Sequence, residues 1–216
     1  MDIVHPEVER YLLDLASSDD EPILLEMEQL AERDGFPIVG RLCGRTIELL
    51  ARAIGARRIF ELGSGFGYSA FWFARAAGSS GEIHLTDLDP ENERKALDFL
   101  GRAEVGASVT FHVASALDAF ADVSGDFDIV YCDIDKDGYP GAWEAARDRV
   151  RVGGMFICDN MLWSGRVTGS PGAPEDVRDG WTEAIDRTNR AIEADARYRQ
   201  VIVPLRDGLI VALRIS

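Results

Sequence analysis

One apolar run ends in charge: Phe127-Asp128-Ile129-Val130-Tyr131-Cys132-Asp133-Ile134-Asp135-Lys136-Asp137. A second ends in Asp159-Asn160, in the stretch Phe156-Ile157-Cys158-Asp159-Asn160. If the two runs are neighbouring strands, Asp133, Asp159 and Asn160 converge. Two carboxylates and an amide oxygen are hard ligands, suited to Mg²⁺, with Mn²⁺ or Ca²⁺ as alternatives. The alternative reading is that these residues only cap helices or turns. Lys136 follows Asp133 by three positions and can face the same cavity. The chain has 23 basic residues, and of these only Lys95 and Lys136 are lysines. Beside a divalent cation and partly desolvated, a lysine has its ammonium form disfavoured, so it could act as a general base. Arginine could not, because it stays protonated. A surface salt bridge to Asp135 or Asp137 is the plainer alternative, and the scarcity of lysine argues against it.

Glu61-Leu62-Gly63-Ser64-Gly65-Phe66-Gly67 lies between an apolar strand and a helix. Glycines there let a nucleotide-like ligand approach the backbone at a helix N-terminus. The dinucleotide pattern G-x-G-x-x-G fails, because Tyr68 stands at the third glycine. Asp87 ends the next strand, where an acid can accept both hydroxyls of a ribose. Asp89 before Pro90 reads as a helix cap. Loop and acid together point to an adenosine-type ligand without choosing among such cofactors.

The elements around these residues alternate. About 55 residues of helix come first, including 22–34 and 38–55, broken by Gly35-Phe36-Pro37. Strands then follow at 57–63, 82–87, 108–114, 127–133 and 153–160, with helices at 68–78, 90–103, near 116–121 and 139–150 between them. This is the βαβ pattern of a mostly parallel sheet, whose strands are buried on both faces. A Gly/Pro/Ser-rich loop over 161–177 precedes a helix at 176–195. The tail reads as two strands joined at Arg206-Asp207-Gly208. The expected fold is a doubly wound, Rossmann-like α/β domain over the whole chain. Its sheet has seven strands, mostly parallel, with an antiparallel C-terminal hairpin strand and extra N-terminal helices.

Composition sets limits. At 216 residues, with 46% apolar residues, the chain can bury one full core. A net charge of −15 argues against a tight polyanion partner, without excluding a local basic patch. Cys43, Cys132 and Cys158 form no metal or disulfide pattern and read as buried, reduced thiols of a cytoplasmic protein. No signal peptide is visible, and no apolar run is long enough to span a membrane.

Taken in order, E-x-G-x-x-x-G-Y-S, then Asp87, then D-x-D-K-D-x-Y, then D-N-x-L-W-x-G-x-V resembles the cation-dependent O-methyltransferases of the caffeoyl-CoA and catechol type. The likeness runs from about residue 35 to 216 and looks like the bacterial branch. It implies S-adenosylmethionine as cofactor, a divalent cation, a small hydroxylated acceptor and a homodimer. It implies that Asp133, Asp159 and Asn160 hold the metal and that Lys136 is the base. Glu61, Gly63 and Ser69 would line the methionine end of the cofactor, Asp87 would take the ribose and Ala116 the adenine. Asp133, Asp135 and Val39 would also face the cofactor. Lys136, Trp163 and Ser164 would face the substrate. Ser164 stands where plant members have a substrate-contacting Asn, which sets this chain apart from hydroxycinnamoyl-specific enzymes. The implied chemistry is ionisation of one hydroxyl of a catechol-like acceptor and in-line attack on the sulfonium methyl. The same branch includes a tRNA wobble 5-hydroxyuridine methyltransferase, which is the alternative function. A nicotinamide oxidoreductase and a phosphotransferase using the D-x-D are weaker alternatives.

Overall fold

Alternation along each strand decides how this molecule is layered. The computed structural model describes residues 3–17, 21–170 and 180–216. Strands β1 (Arg58–Leu62), β2 (Glu82–Asp87), β3 (Ser108–Val113), β4 (Phe127–Cys132), β5 (Val150–Cys158), β6 (Tyr198–Val203) and β7 (Leu209–Arg214) form one sheet in the order β3-β2-β1-β4-β5-β7-β6. Successive strand side chains point to opposite faces. Ile59, Ile129, Tyr131 and Ile157 therefore join one core, and Phe60, Val130, Cys132 and Cys158 the other. Helices α2 (Pro22–Asp34), α3 (Gly40–Ala53), α4 (Tyr68–Ala77) and α5 (Pro90–Arg102) supply the first core. Helices α6 (Ala116–Asp122), α7 (Tyr139–Ala146) and α8 (Trp181–Ala194) supply the second. The N-terminal helix α1 (Pro6–Leu15) buries none of its residues.

Pairing is parallel from β3 through β5, and β7 runs antiparallel to both β5 and β6. This is the expected sheet. The strand order reverses between β1 and β4, the place where open α/β sheets bind ligands beyond their strand ends. No helix among the described residues is long and apolar enough to cross a membrane.

Two boundaries differ from the sequence reading by three residues or more. Helix α7 stops at Ala146, and β5 begins at Val150, opposite Phe127, three residues before the expected strand start. The turn between them is fastened by Tyr198, whose hydroxyl donates to the Arg147 carbonyl, and by Arg149, which donates to the Phe120 and Gly125 carbonyls. Gly154 allows the bulge that follows, because a Cβ there would lie 2.6 Å from the Asp128 carbonyl oxygen. The loop after β5 contains a kinked 3₁₀ segment, Trp163–Thr168. Positions 171–179 of that loop and of the expected helix start lie outside the described residues. The N-cap of α7 is Gly138, with no side-chain capping bond. Asp89 does cap α5, accepting from Glu91 N at 2.9 Å. All three cysteines are buried and unpaired with one another as disulfides.

Candidate active site

Register builds the site. Leu62, Cys132 and Cys158 stand side by side at the ends of β1, β4 and β5. The next residues leave the sheet still tied to it: Asp133 N donates to the Leu62 carbonyl at 2.9 Å, and Asp159 N to the Cys132 carbonyl at 3.1 Å. Gly63 must be glycine at this junction. Its φ is +83°, and a Cβ would lie 2.6 Å from the Asp133 carbonyl oxygen.

The strand ends open on a cavity of about 830 Å³, within the range of small-molecule sites. Its wall includes Val39, Gly63, Ser69, Asp87, Ala116, Asp133, Asp135, Lys136, Asp159, Asn160 and Trp163, so eleven of the thirteen residues singled out in the sequence meet there. Glu61 and Ser164 do not. Glu61 is fully buried behind the wall, on the α4 side of the sheet, where the Ser69 hydroxyl donates to its Oε1. It reaches the cavity through Ser69. Ser164 is held off the wall in the kinked segment, with φ +52° and its N–H donating to the Asp207 carboxylate.

The two halves of the cavity differ in chemistry. At one end Asp87 offers a carboxylate whose Oδ1 accepts from Asp89 N at 2.8 Å. Ala116 opens α6 beside it, and Val39 closes the wall as the buried residue preceding α3. Below lies Glu61. Burial raises its pKa from the ordinary 4.5 to about 8, against the opposing hydrogen bond from Ser69. Its Oε2 has no hydrogen-bond partner. A buried, half-satisfied carboxylate beneath a glycine loop fits a ligand with a cationic amino group.

At the other end Asp159 is 1% exposed. Burial first, and the neighbouring Asp133 carboxylate second, push its pKa up to about 7. Among the described residues, the positive charges paired with these acids are Lys136, whose Nζ donates to Asp133 Oδ1 at 3.0 Å, and Arg206, 3.8 Å from Asp159 Oδ2. The Asn160 amide nitrogen donates to Asp207 Oδ2 at 3.5 Å, which leaves its oxygen as the acceptor end. No group of three or more His, Cys, Asp or Glu able to hold a metal occurs among the described residues. The donor set therefore needs the Asn160 amide. With it, two mutually repelling carboxylates, one buried and one half-buried, and a neutral oxygen fit a hard divalent cation.

Lys136 faces the same cavity and is paired with Asp133. It is buried and lies 4.9 Å from the Tyr139 ring centroid. Burial does push its pKa down, but the adjacent Asp133 carboxylate outweighs burial and the net direction is up. As the structure stands, the ammonium form is favoured.

Trp181 and Arg206 also line the wall, and the sequence reading named neither as a site residue. Trp181 opens α8 and meets Trp163 with ring centroids 5.6 Å apart at 49°. Arg206 lies in the turn between β6 and β7. Its placement follows from topology, because a strand antiparallel to β5 brings its preceding turn to the binding edge.

Comparison with known proteins agrees with this geometry. The caffeoyl-CoA O-methyltransferase of Petroselinum crispum is 32% identical over 181 residues, covering 80% of this chain and 75% of that protein. The O-methyltransferase TomG from Streptomyces achromogenes, involved in tomaymycin synthesis and solved in complex with SAM, superposes with a TM-score of 0.78 at 27% identity over 92% of each chain. An O-methyltransferase from Bacillus cereus in complex with SAH gives a TM-score of 0.81 at 26% identity, over 96% of this chain and 97% of that one. The O-methyltransferase family profile matches residues 15–215, and the chain belongs to that family.

Proposed function

We propose that this protein transfers a methyl group from S-adenosylmethionine to one hydroxyl of a small catechol-like acceptor, in a reaction that depends on a divalent cation. The observation that carries the reading is the pair of the buried Asp159 and the half-buried Asp133, held beside Asn160 and Lys136 in one cavity. Asp133, Asp159 and Asn160 would hold the cation, Mg²⁺ by their chemistry. When bound, the cation acidifies the acceptor hydroxyl and S-adenosylmethionine supplies the electrophilic methyl. The SAM and SAH complexes of the Streptomyces and Bacillus relatives support that cofactor.

The chain's own residues do the rest. Asp87 takes the ribose hydroxyls, and Ala116 leaves room for a flat base. Gly63 lets the methionine end approach the backbone. Ser69, positioned by Glu61, fixes its amino group. Trp163 and Trp181 form an apolar wall against which an aromatic acceptor packs. Lys136 Nζ accepts the acceptor's hydroxyl proton, a role open to it once the Asp133 charge no longer favours its ammonium form. Most of the rate gain comes from holding acceptor oxygen and methyl donor in line.

Labelled S-adenosylmethionine with catechol tests the reading. Methyl transfer should stop under EDTA and return with Mg²⁺. Activity that survives complete chelation removes the metal role. Failure to methylate any vicinal diol removes the acceptor class, and hypomodified tRNA in the same assay tests the alternative.

A further inference from the structure

The turn between β6 and β7 carries a charge that this chemistry does not use. Arg206 sits there at φ +47°, in the left-handed region that favours glycine. The turn is fastened to the acceptor wall. Leu162 N donates to the Asp207 carbonyl and Met161 N to the Gly208 carbonyl, both at 2.8 Å, and the Asp207 carboxylate accepts from Ser164 N and Asn160 Nδ2. Arg206 is thus held on the same rigid rim as Asn160 and Trp163.

Its side chain is 34% exposed and lines the cavity. Among the described residues its one ion pair is the 3.8 Å approach to Asp159, too long for a hydrogen bond, and it makes no hydrogen bond at all. A guanidinium presents five N–H donors in a planar fork that matches a carboxylate. Here that fork stands unused beside two tryptophans and the cation-binding carboxylates. A chain of net charge −15 repels anions overall, so an anionic acceptor needs a local cation of this kind.

We infer that Arg206 reads a carboxylate on the acceptor, making the substrate class an acidic catechol: a vicinal dihydroxyarene with a carboxylate on the ring or on a short side chain. The inference rests on the acceptor reading above. The closeness of Arg206 to Asp159 sets the size. An anion paired with Arg206 lies within about one aromatic ring of the reacting oxygens, which excludes a charge at the far end of a long acceptor. Arginine suits the task better than lysine, whose ammonium is a point charge without the fork. The competing role, a plain counter-charge for Asp159, would affect acidic and neutral acceptors alike.

The test compares 3,4-dihydroxybenzoate with 4-methylcatechol, which have similar size and differ in charge. Protein saturated with S-adenosylhomocysteine and Mg²⁺ is titrated with each, following tryptophan fluorescence, and kcat/KM is measured for each in parallel. The wild type should favour the acid by about 10- to 100-fold, the range of a charge-assisted hydrogen bond. Arg206→Met should erase the preference, and Arg206→Lys should keep part of it. If Arg206→Met fails to fold, Arg206→Gly, which suits φ +47°, carries the same comparison. Equal affinity for both compounds in the wild type, or a preference that survives loss of the guanidinium, overturns the inference. The two readings fail separately. A binding preference without any methyl transfer would sink the acceptor reading alone, and methyl transfer without a preference would sink this one alone.

Discussion

Glu61 offers a quantitative test of how the cofactor end works. Its carboxyl is fully buried, bonded to Ser69 on one oxygen and unpartnered on the other. Burial moves its pKa from 4.5 to about 8. A carboxyl raised in the fold stabilises the folded state fully below pH 4.5, and that stability is lost as pH rises to about 8. At about 1.4 kcal/mol per tenfold change in proton affinity, the loss has a ceiling of about 5 kcal/mol. Local relaxation and water entry lower it, so about 2–5 kcal/mol is the working range. Glu61→Gln keeps the shape and removes the ionisation. In urea unfolding without cofactor, wild-type stability should therefore fall across that pH window, with the Gln protein losing less and ending the more stable of the two by the same 2–5 kcal/mol. Asp159, raised to about 7, adds its own slope to both proteins and cancels in the difference. The gain should come with weaker S-adenosylhomocysteine binding, since Gln cannot ionise behind Ser69 when the cofactor's ammonium group arrives. Parallel stability profiles for the two proteins would refute the assignment of Glu61 as a strained acid behind the cofactor wall.

Other substitutions test the frame around it. Gly63→Ala places a Cβ 2.6 Å from the Asp133 carbonyl oxygen at φ +83°, and should lower the urea-unfolding free energy by about 2 kcal/mol or more while weakening cofactor binding. Lys136→Arg keeps the charge but cannot release a proton. Turnover should fall by about 10²- to 10⁴-fold with little change in S-adenosylhomocysteine affinity, and an unchanged rate would rule out the base. Asp128 is structural: its Oδ2 accepts from the backbone N–H groups of Arg57 and Arg58, each at 2.7 Å. Burial alone would raise its pKa, but those donors and Arg151 outweigh it and hold the pKa below the ordinary 3.8. Its stabilisation is present above pH 3.8 and lost as pH falls through the lower folded value, so Asp128→Ala should cost about 2–3 kcal/mol at neutral pH and less in acid.

What the sequence made legible follows one physical rule. Residues at the carboxyl ends of parallel strands meet, so Gly63, Asp87, Asp133 and Asp159 could be placed together from hydrophobic patterning alone. Period-two alternation also held information about Glu61. Two residues before Gly63 in β1, it shares a face with Ile59 and so points under α4 and away from the open cavity. The residues that escaped depend on long-range placement. Trp181 reaches the wall because α8 packs against the segment after β5, and Arg206 because β7 inserts between β5 and β6. Neither relation leaves a local pattern. Helix α7 is shorter than its pattern suggests because, although Ala-Arg-Asp-Arg suits a helix, Val150 pairs with Phe127 in the sheet.

Register is also why the site sits in so dry a place. A carboxylate at 1% exposure is costly, and Asp159 could have been brought nearer water by a looser loop. Yet its N–H is bonded to the Cys132 carbonyl, as that of Asp133 is to the Leu62 carbonyl. Each acid is therefore the next step of a sheet whose interior residues are fully buried. A slip of one residue between β4 and β5 would exchange every inward and outward side chain and break both cores. The hydrophobic cores thus hold the two acids in position, against their mutual repulsion. A cation that binds between them relieves a strain that the cores impose, so cation binding and sheet stability should be linked in the same protein.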